Sequence, residues 1–111
     1  MLSKTNRIPR SLFKDALLGS RFLASPFFTL RYKTTTKPEK RFSFVVSKEV
    51  SKKAVERNLI RRRGYSIINT NLKNIKSGIN CAFRTKKGVI KLSFKELEGE
   101  VVGLLKKAGV I

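Results

Sequence analysis

Four arginines occur in one short stretch of this chain, residues 54–63, whose apolar residues recur at helical spacing. A guanidinium group can donate two parallel hydrogen bonds to a phosphate and stays charged at neutral pH. If the stretch is helical, side chains three, four and seven positions apart are neighbours on one side of it. The residues with that spacing are Asn58, Arg61, Arg62 and Tyr65, and Arg57 lies nearby. The pattern predicts a helix that binds phosphate groups, and Lys48, Lys52 and Lys53 extend the basic region.

The charge of the whole chain points to the same kind of partner. There are 26 Lys and Arg residues against 7 Asp and Glu, which gives a formal net charge of +19 in 111 residues. A domain with so large an excess of positive charge is suited to a polyanion. The hydrophobic content of 41%, with eight phenylalanines, predicts one folded domain over residues 1–111 and not a disordered basic tail.

Residue types that usually carry protein-based catalysis are scarce. The chain has no histidine, one cysteine (Cys81) and one aspartate (Asp15), and its six glutamates are scattered. It therefore has neither an internal disulfide nor a Cys/His zinc site, and no glycine-rich phosphate loop is present. Three of the glutamates fall near the start of the last predicted helix, where they suit its dipole. We predict no catalytic side chain and no metal ligand in the protein.

Aromatic residues offer a second binding mechanism. Phe13, Phe28, Tyr32 and Phe44 are rings on which unpaired bases could stack, while nearby lysines and arginines follow the backbone. The same rings could equally fill a hydrophobic core. Sequence alone leaves both interpretations open for each ring.

The first half of the chain predicts a short helix followed by strands. Residues 11–19 have helical spacing, with Ser11 as a possible N-cap and Gly19 as the end. Residues 21–24, 27–32 and 41–47 read as strands. We expect the two longer strands to pair as an antiparallel hairpin across the loop at 33–40. Phe42, Phe44 and Val46 would then share one face of the sheet.

The second half predicts two helices around one strand. A long helix over 51–72 has a core stripe formed by Ile60, Gly64, Ile67, Ile68 and Asn71. Residues 79–84 read as a strand and 85–88 as a turn. The last helix begins with a capping box of Ser93 and Glu96 and ends at Gly109. No apolar run approaches the roughly 18 residues of a membrane span.

These motifs together resemble a known family. Val46-Ser47-Lys48 followed by residues 53–62 resembles the Arg-Asn-Arg signature of the bacterial ribonuclease P protein subunit. Asn6-Arg7-Ile8-Pro9-Arg10 with Phe13 resembles that family's opening segment, and Phe83-Arg84 its last strand. The resemblance implies an α/β (α+β) two-layer sandwich with the order helix, three strands, long helix, fourth strand and final helix. It also implies a left-handed βαβ crossover, which composition could not suggest because most such crossovers are right-handed.

The resemblance implies partners and site residues as well. The partners would be a catalytic RNA subunit and precursor tRNA, with no small-molecule cofactor, in the cytoplasm. The RNA would perform the hydrolysis, with Mg²⁺ held mainly by RNA. Residues implied to contact the RNA subunit are Lys53, Arg57, Asn58, Arg61 and Arg62, with Ile60 pointing inward. Residues implied for the cleft that receives the 5′ leader are Phe13, Phe28, Tyr32, Phe44, Lys48 and Arg84.

Two positions depart from the family pattern. Leu59 stands where the signature has its second arginine, which removes one guanidinium group. Gly64 lies inside the long helix, at a cost of about 1 kcal/mol relative to alanine unless close packing requires it.

Four other interpretations compete with this one. A ribosomal or other structural RNA-binding protein would share the size, the charge and the lack of catalytic residues. A helix-turn-helix module could use Asn58 and Arg61 to read bases in duplex DNA, although the predicted strands argue against it. A basic helix lying on an anionic membrane fits poorly, since arginine occurs on several sides. Residues 1–21 also resemble an organellar transit peptide, but removing them would remove the first helix.

Overall fold

The computed structural model describes residues 2–111 and places a four-stranded sheet at the centre of the molecule. The strands are β1 (Arg21–Ala24), β2 (Phe28–Thr34), β3 (Lys40–Val45) and β4 (Ile79–Thr85), and the helices are α1 (Phe13–Ala16), α2 (Ala54–Asn71) and α3 (Phe94–Lys107). Short 3₁₀ turns cover Lys4–Asn6, Arg10–Leu12, Leu72–Asn74 and Val89–Lys91. The predicted order of helix, three strands, long helix, strand and helix is confirmed.

The sheet order is β1-β2-β4-β3, which corrects the expected hairpin between β2 and β3. β4 lies between them, antiparallel to β2 and parallel to β3. The connecting loop crosses the start of β4 instead of turning tightly, since Thr35 N donates to Gly78 O (2.8 Å) and Ile79 N to Glu39 O (3.2 Å). β3, α2 and β4 therefore form a parallel βαβ crossover, and its left-handedness stays a prediction.

One face of the sheet carries the main core. Phe42 and Phe44 on β3 alternate with polar neighbours, and Cys81 and Phe83 stand beside them on β4. The Phe44 and Phe83 rings stack 4.8 Å apart at an interplanar angle of 7°. Buried residues of both long helices join this cluster, including Ile60, Ile67 and Ile68 of α2 and Val101, Leu104 and Leu105 of α3.

The opposite face of the sheet is covered only in part, by the N-terminal segment. Ile8 and Leu17 pack over Ala82 with Phe13 and Ala16 beside them. Ile8 N donates to Phe42 O (2.9 Å), so the segment is tied to the outer strand β3. The predicted first helix is present but short, and Ser11 lies inside a 3₁₀ turn without a capping hydrogen bond, which corrects its assignment as N-cap.

Both ends of α3 have the capping structures that the sequence predicts. Ser93 Oγ accepts from Glu96 N (3.1 Å) while Ser93 N donates to Glu96 Oε1 (2.9 Å), which confirms the capping box. Gly109 has φ +74°, the left-handed conformation of a residue that ends a helix. None of the helices within residues 2–111 is both long enough and apolar enough to cross a membrane.

Candidate nucleic-acid interface

The basic side of α2 forms a shallow depression with the N-terminal segment. Its lining residues, here named the arginine patch, are Arg7, Asn58, Arg61, Arg62 and Tyr65. The core stripe of α2, Ile60, Gly64, Ile67 and Ile68, is buried, so the helix presents its polar residues elsewhere. Arg61 donates from Nη2 to Asn58 Oδ1, which joins two of the predicted phosphate-binding residues. The spacing argument from sequence thus placed Asn58, Arg61, Arg62 and Tyr65 together.

Arg7 is a member of the patch that spacing could not reveal. Its guanidinium carbon lies 4.7 Å from the centre of the Tyr65 ring, and Nη2 donates to Leu2 O at 3.0 Å. Its Nε is buried without a hydrogen-bond partner. The contact joins residues 58 positions apart in the chain, so only the tertiary fold brings them together. The one sequence signal was the opening segment Asn6–Arg10, which resembles the family but says nothing of the contact.

Tyr65 links the arginine patch to the core. Its hydroxyl accepts a hydrogen bond from Phe44 N (3.3 Å), and its ring meets the Phe44 ring edge-on at 5.3 Å. A buried β3 residue thus fixes the ring on which the Arg7 guanidinium rests. Tyr65 and Arg7 are therefore held in place within the patch.

The start of α2 holds the other two residues implied for RNA contact. Arg57 is half-buried, and its Nη1 donates to Ser51 O at 2.9 Å, while Glu56 accepts from Ser51 Oγ at 2.5 Å. Lys53 is exposed at the N-cap position. One N–H group of Arg57 is therefore used within the protein, where it stabilises the turn before α2. Arg61 and Arg62 are the arginines of this stretch that line the arginine patch.

Leu59 lies on a different side of α2. It lines a groove with Val89, Ile90, Leu92 and Leu97, near the start of α3. The side chain is therefore away from the arginine patch. An arginine at this position would extend toward that groove and not toward Asn58 and Arg62.

A cleft of about 790 Å³ separates the N-terminal segment from β3. We name it the N-terminal cleft, and its exposed and half-buried lining consists of Arg10, Phe13, Lys14, Val45 and Arg61, with buried Ile8, Ser43, Phe44 and Val46 at its base. Arg61 lines both this cleft and the arginine patch. The two surfaces are therefore continuous.

Three of the six leader-cleft candidates lie at or near the outer face of the sheet, where a ligand can reach them. Phe13 lines the N-terminal cleft, and Arg84 is exposed on the same sheet face, paired with Val45 of β3. Lys48 is exposed in the loop that follows β3. These three residues remain candidates for binding the 5′ leader.

The remaining three candidates belong to the core face of the sheet. Phe44 lies buried at the base of the N-terminal cleft, whereas Phe28 and Tyr32 do not line it, so the expectation of one shared cleft needs correction for these two residues. Phe28 is 0% exposed and Phe44 is 3% exposed, so neither ring can stack on a base. Tyr32 is half-buried against the main core, with its register partner Cys81 on β4. Strand alternation puts Phe28, Tyr32 and Phe83 on the same side as α2 and α3, whereas Phe13 covers the other side.

The chemistry offered by these surfaces is binding. Burial raises the pKa of the Cys81 thiol to about 12, so it stays protonated at neutral pH and is a poor nucleophile. Within residues 2–111, no three carboxylate or thiol side chains converge as a metal site. The polar groups that line the arginine patch and the exposed part of the N-terminal cleft are guanidinium and ammonium groups and an amide, and the Phe13 and Tyr65 rings lie among them.

The fold and the two surfaces define a class: a small, strongly basic α/β protein whose cationic helix adjoins an aromatic cleft. A family model described as Ribonuclease P matches residues 2–109. The ribonuclease P protein component of Syntrophomonas wolfei is 27% identical over 111 residues, 99% of this chain and 92% of its own length. That of Pseudoalteromonas translucida is 33% identical over 84 residues, 76% of this chain and 59% of its own length.

Solved structures share the fold. The ribonuclease P protein of Staphylococcus aureus superposes with a TM-score of 0.85 at 19% identity, over 96% of this chain and 98% of that one. That of Thermotoga maritima gives 0.81 at 21% identity, over 91% and 96%. The chain belongs to the ribonuclease P protein family. Members are protein components of a tRNA-processing endoribonuclease, and this chain is accordingly a subunit of that kind.

Proposed function

We propose that the chain binds the catalytic RNA of ribonuclease P through the arginine patch and the start of α2, and the 5′ leader of precursor tRNA through the N-terminal cleft. The observation that carries the proposal is the position of Arg61, which lines both surfaces. A protein that must hold two RNA segments side by side needs such a junction, because their phosphates repel each other. A guanidinium group between them reduces that repulsion.

The arginine patch supplies contacts suited to folded RNA. Arg62 and Asn58 are exposed, and Arg7 is held over Tyr65, so the patch offers several hydrogen-bond donors to a ligand. Lys53 and Arg57 add positive charge at the N-terminus of α2, where the helix dipole also favours an anion. In this proposal the residues position the RNA and do not take part in bond breaking.

The N-terminal cleft suits a single strand. Phe13 offers a half-buried ring at its wall, and the basic residues Arg10, Lys14 and Arg61 surround it. Rings provide stacking for any base, while the charges follow the phosphates, which is the usual arrangement in sequence-tolerant single-strand binding. Lys48 and Arg84 would extend the charged path on either side.

The hydrolysis itself is assigned to the RNA. Mg²⁺ would supply the polarisation of the phosphate and an activated water, and we place it mainly on RNA because the described residues bring no carboxylate cluster together. The protein's contribution would be affinity, leader alignment and relief of phosphate repulsion. We place the assembly in the cytoplasm.

The test is cleavage of a precursor tRNA by the cognate RNA subunit at low Mg²⁺, with and without the protein. We expect strong stimulation by the wild-type chain. Each of Arg61→Ala and Arg62→Ala should weaken holoenzyme assembly about tenfold, since a hydrogen bond to a charged group contributes about 1.5–3 kcal/mol. The matched control is Lys106→Ala with Lys107→Ala, which removes two exposed charges at the end of α3.

Two results would contradict the proposal. One is the absence of stimulation by the folded wild-type protein with RNA that is active at high Mg²⁺. This would favour a structural RNA-binding role, which predicts equal affinity for precursor and mature tRNA. The other is an equal loss in the Lys106/Lys107 control, which would assign the effect to total charge and not to the arginine patch.

A further inference from the structure

An exposed aromatic side chain lies on the edge strand of the sheet, outside both surfaces described above. Phe22 of β1 is 62% exposed, the most exposed phenylalanine among residues 2–111. It belongs to the sheet face that carries the N-terminal segment, because its register partner is Arg31, whose own partner on β4 is Ala82. This ring gains little free energy from burial, and its surface is accessible to a ligand.

Arg31 holds a fixed position over this ring. Its guanidinium carbon lies 5.3 Å from the centre of the Phe22 ring. Nε donates to Ser20 Oγ (3.1 Å) and Nη2 to Leu17 O (3.3 Å), so the group is oriented by two hydrogen bonds. One side of the ring therefore has a cationic neighbour, and the high exposure leaves the other side accessible to a planar ligand.

The sheet provides a path from the N-terminal cleft to this ring. Val45, Arg84, Thr29 and Ala24 form a cross-strand row from β3 to β1. Arg84 and Ala24 are exposed and the other two are half-buried, so the row is open beside the segment that covers Ala82. The row ends at Ala24, and Phe22 lies two residues away on the same face of β1. The path to the ring therefore covers about 14 Å across the strands and about 7 Å along β1. A single strand must be several nucleotides long to follow this path.

We propose that Phe22 and Arg31 form a stacking subsite for one unpaired base of a single-stranded RNA, at the outer end of the path that begins at Phe13. The inference rests on the proposed function and adds to it a contact several nucleotides from the cleavage site. The base stacks on the free face of Phe22. The Arg31 guanidinium supports the ring and attracts the neighbouring phosphate, and Arg84 neutralises the strand between the two rings.

The test compares holoenzymes assembled with wild-type protein, Phe22→Ala, Phe22→Leu and Phe22→Tyr on precursor tRNAs with leaders of about one to eight nucleotides. Stacking on an aromatic side chain contributes about 1–3 kcal/mol per base, and a site on a sheet edge should fall at the low end. We expect kcat/KM to fall about fivefold for Phe22→Ala and Phe22→Leu on long leaders, with the effect shrinking as the leader is shortened. Phe22→Tyr should restore it, because it keeps the aromatic face.

A spectroscopic measurement locates the contact. With 2-aminopurine at successive leader positions, one position several nucleotides beyond the Phe13 contact should be quenched by wild-type and Phe22→Tyr holoenzymes but not by Phe22→Leu. The matched control is Phe94→Ala, which removes another exposed ring (43%) at the start of α3. It should behave as wild type at every leader length.

The outcomes separate this inference from the proposed function. Equal kcat/KM for Phe22→Ala and wild type on all leaders, or a loss that does not depend on leader length, would overturn the stacking subsite. An equal loss in Phe94→Ala would also overturn it. Failure of the proposed function would appear in the wild-type protein itself, as no stimulation of cleavage at low Mg²⁺.

Discussion

Gly64 shows how a single residue can pack a helix against a sheet. A Cβ atom at this position would lie 2.6–2.8 Å from atoms of the Phe44 ring. That ring is held by stacking on Phe83 and by edge contacts to Phe28 and Tyr65, so it has little room to move. Glycine at this position lowers the helix propensity of α2, but it allows the helix to pack closely against Phe44 of β3.

Gly64→Ala should therefore destabilise the protein even though alanine is the better helix former. The expected net loss is about 1–3 kcal/mol in the free energy of unfolding, because overpacking outweighs a propensity gain of about 1 kcal/mol. Urea denaturation measures it. The matched control is Gly99→Ala in α3, where an added Cβ meets nothing within 4 Å and should stabilise by about 0.5–1 kcal/mol. A stabilised Gly64→Ala would contradict the packing argument.

Residue spacing predicted which side chains share a face, but not which face is open. Asn58, Arg61, Arg62 and Tyr65 were grouped correctly because helical neighbours depend on local geometry alone. The rings on strands could not be sorted in the same way. Phe28 and Phe44 are buried while Phe22 is exposed, and the difference is set by what packs over each face, which involves residues far away in sequence.

At the scale of elements, local sequence signals predicted the types of the elements and both ends of α3, but they did not predict which strands pair. β2 and β3 have the alternation of a hairpin, yet β4 takes the position between them. The centre of β4 is buried on both faces, with Cys81 and Phe83 toward the helices and Ala82 under the N-terminal segment, and such a strand belongs at the centre of a sheet. The loop at 35–39 is long enough to cross the start of β4, which a two-residue turn could not do.

The capping box of α3 gives this element a pH-dependent contribution to stability. Hydrogen bonds from the Ser93 backbone and side chain lower the pKa of Glu96 from its ordinary value of 4.5. The folded state therefore favours the carboxylate, and the contribution is complete above the unfolded pKa and is lost as the pH falls through the folded one. Glu96→Ala should lower Tm at pH 7, and its difference from wild type should shrink steadily below pH 4.5.

Two further variants test whether this pH-dependent stabilisation comes from the capping box. Ser93→Ala removes the other half of the box and should cost about 1 kcal/mol at pH 7. Glu98→Ala removes a carboxylate from the same helix without touching the cap, so its Tm should change less than that of Glu96→Ala. A Glu96→Ala difference that stays constant down to pH 3 would show that the charged form of the cap is not what stabilises the helix.

At the scale of the whole molecule, a net charge of +19 must be separated from the contacts of a few arginines. Total charge accelerates encounter with any polyanion, whereas specific contacts release counterions from the phosphates they neutralise. A plot of log K against log salt for binding to the RNA subunit distinguishes the two. Each phosphate contact contributes a slope of about 0.7–0.9. Losing Arg61 and Arg62 together should therefore reduce the slope by about 1.4–1.8.

The double variant Lys106→Ala with Lys107→Ala changes net charge by the same amount and lies at the far end of a different helix. If the arginine patch holds phosphates directly, this variant should weaken binding slightly and leave the slope close to that of wild type. If the protein binds only as a diffuse cation, both double variants should lower affinity and slope equally. An equal change would contradict a specific RNA contact on α2. A reduction of about 1.4–1.8 confined to the arginine variant would assign two phosphate contacts to Arg61 and Arg62.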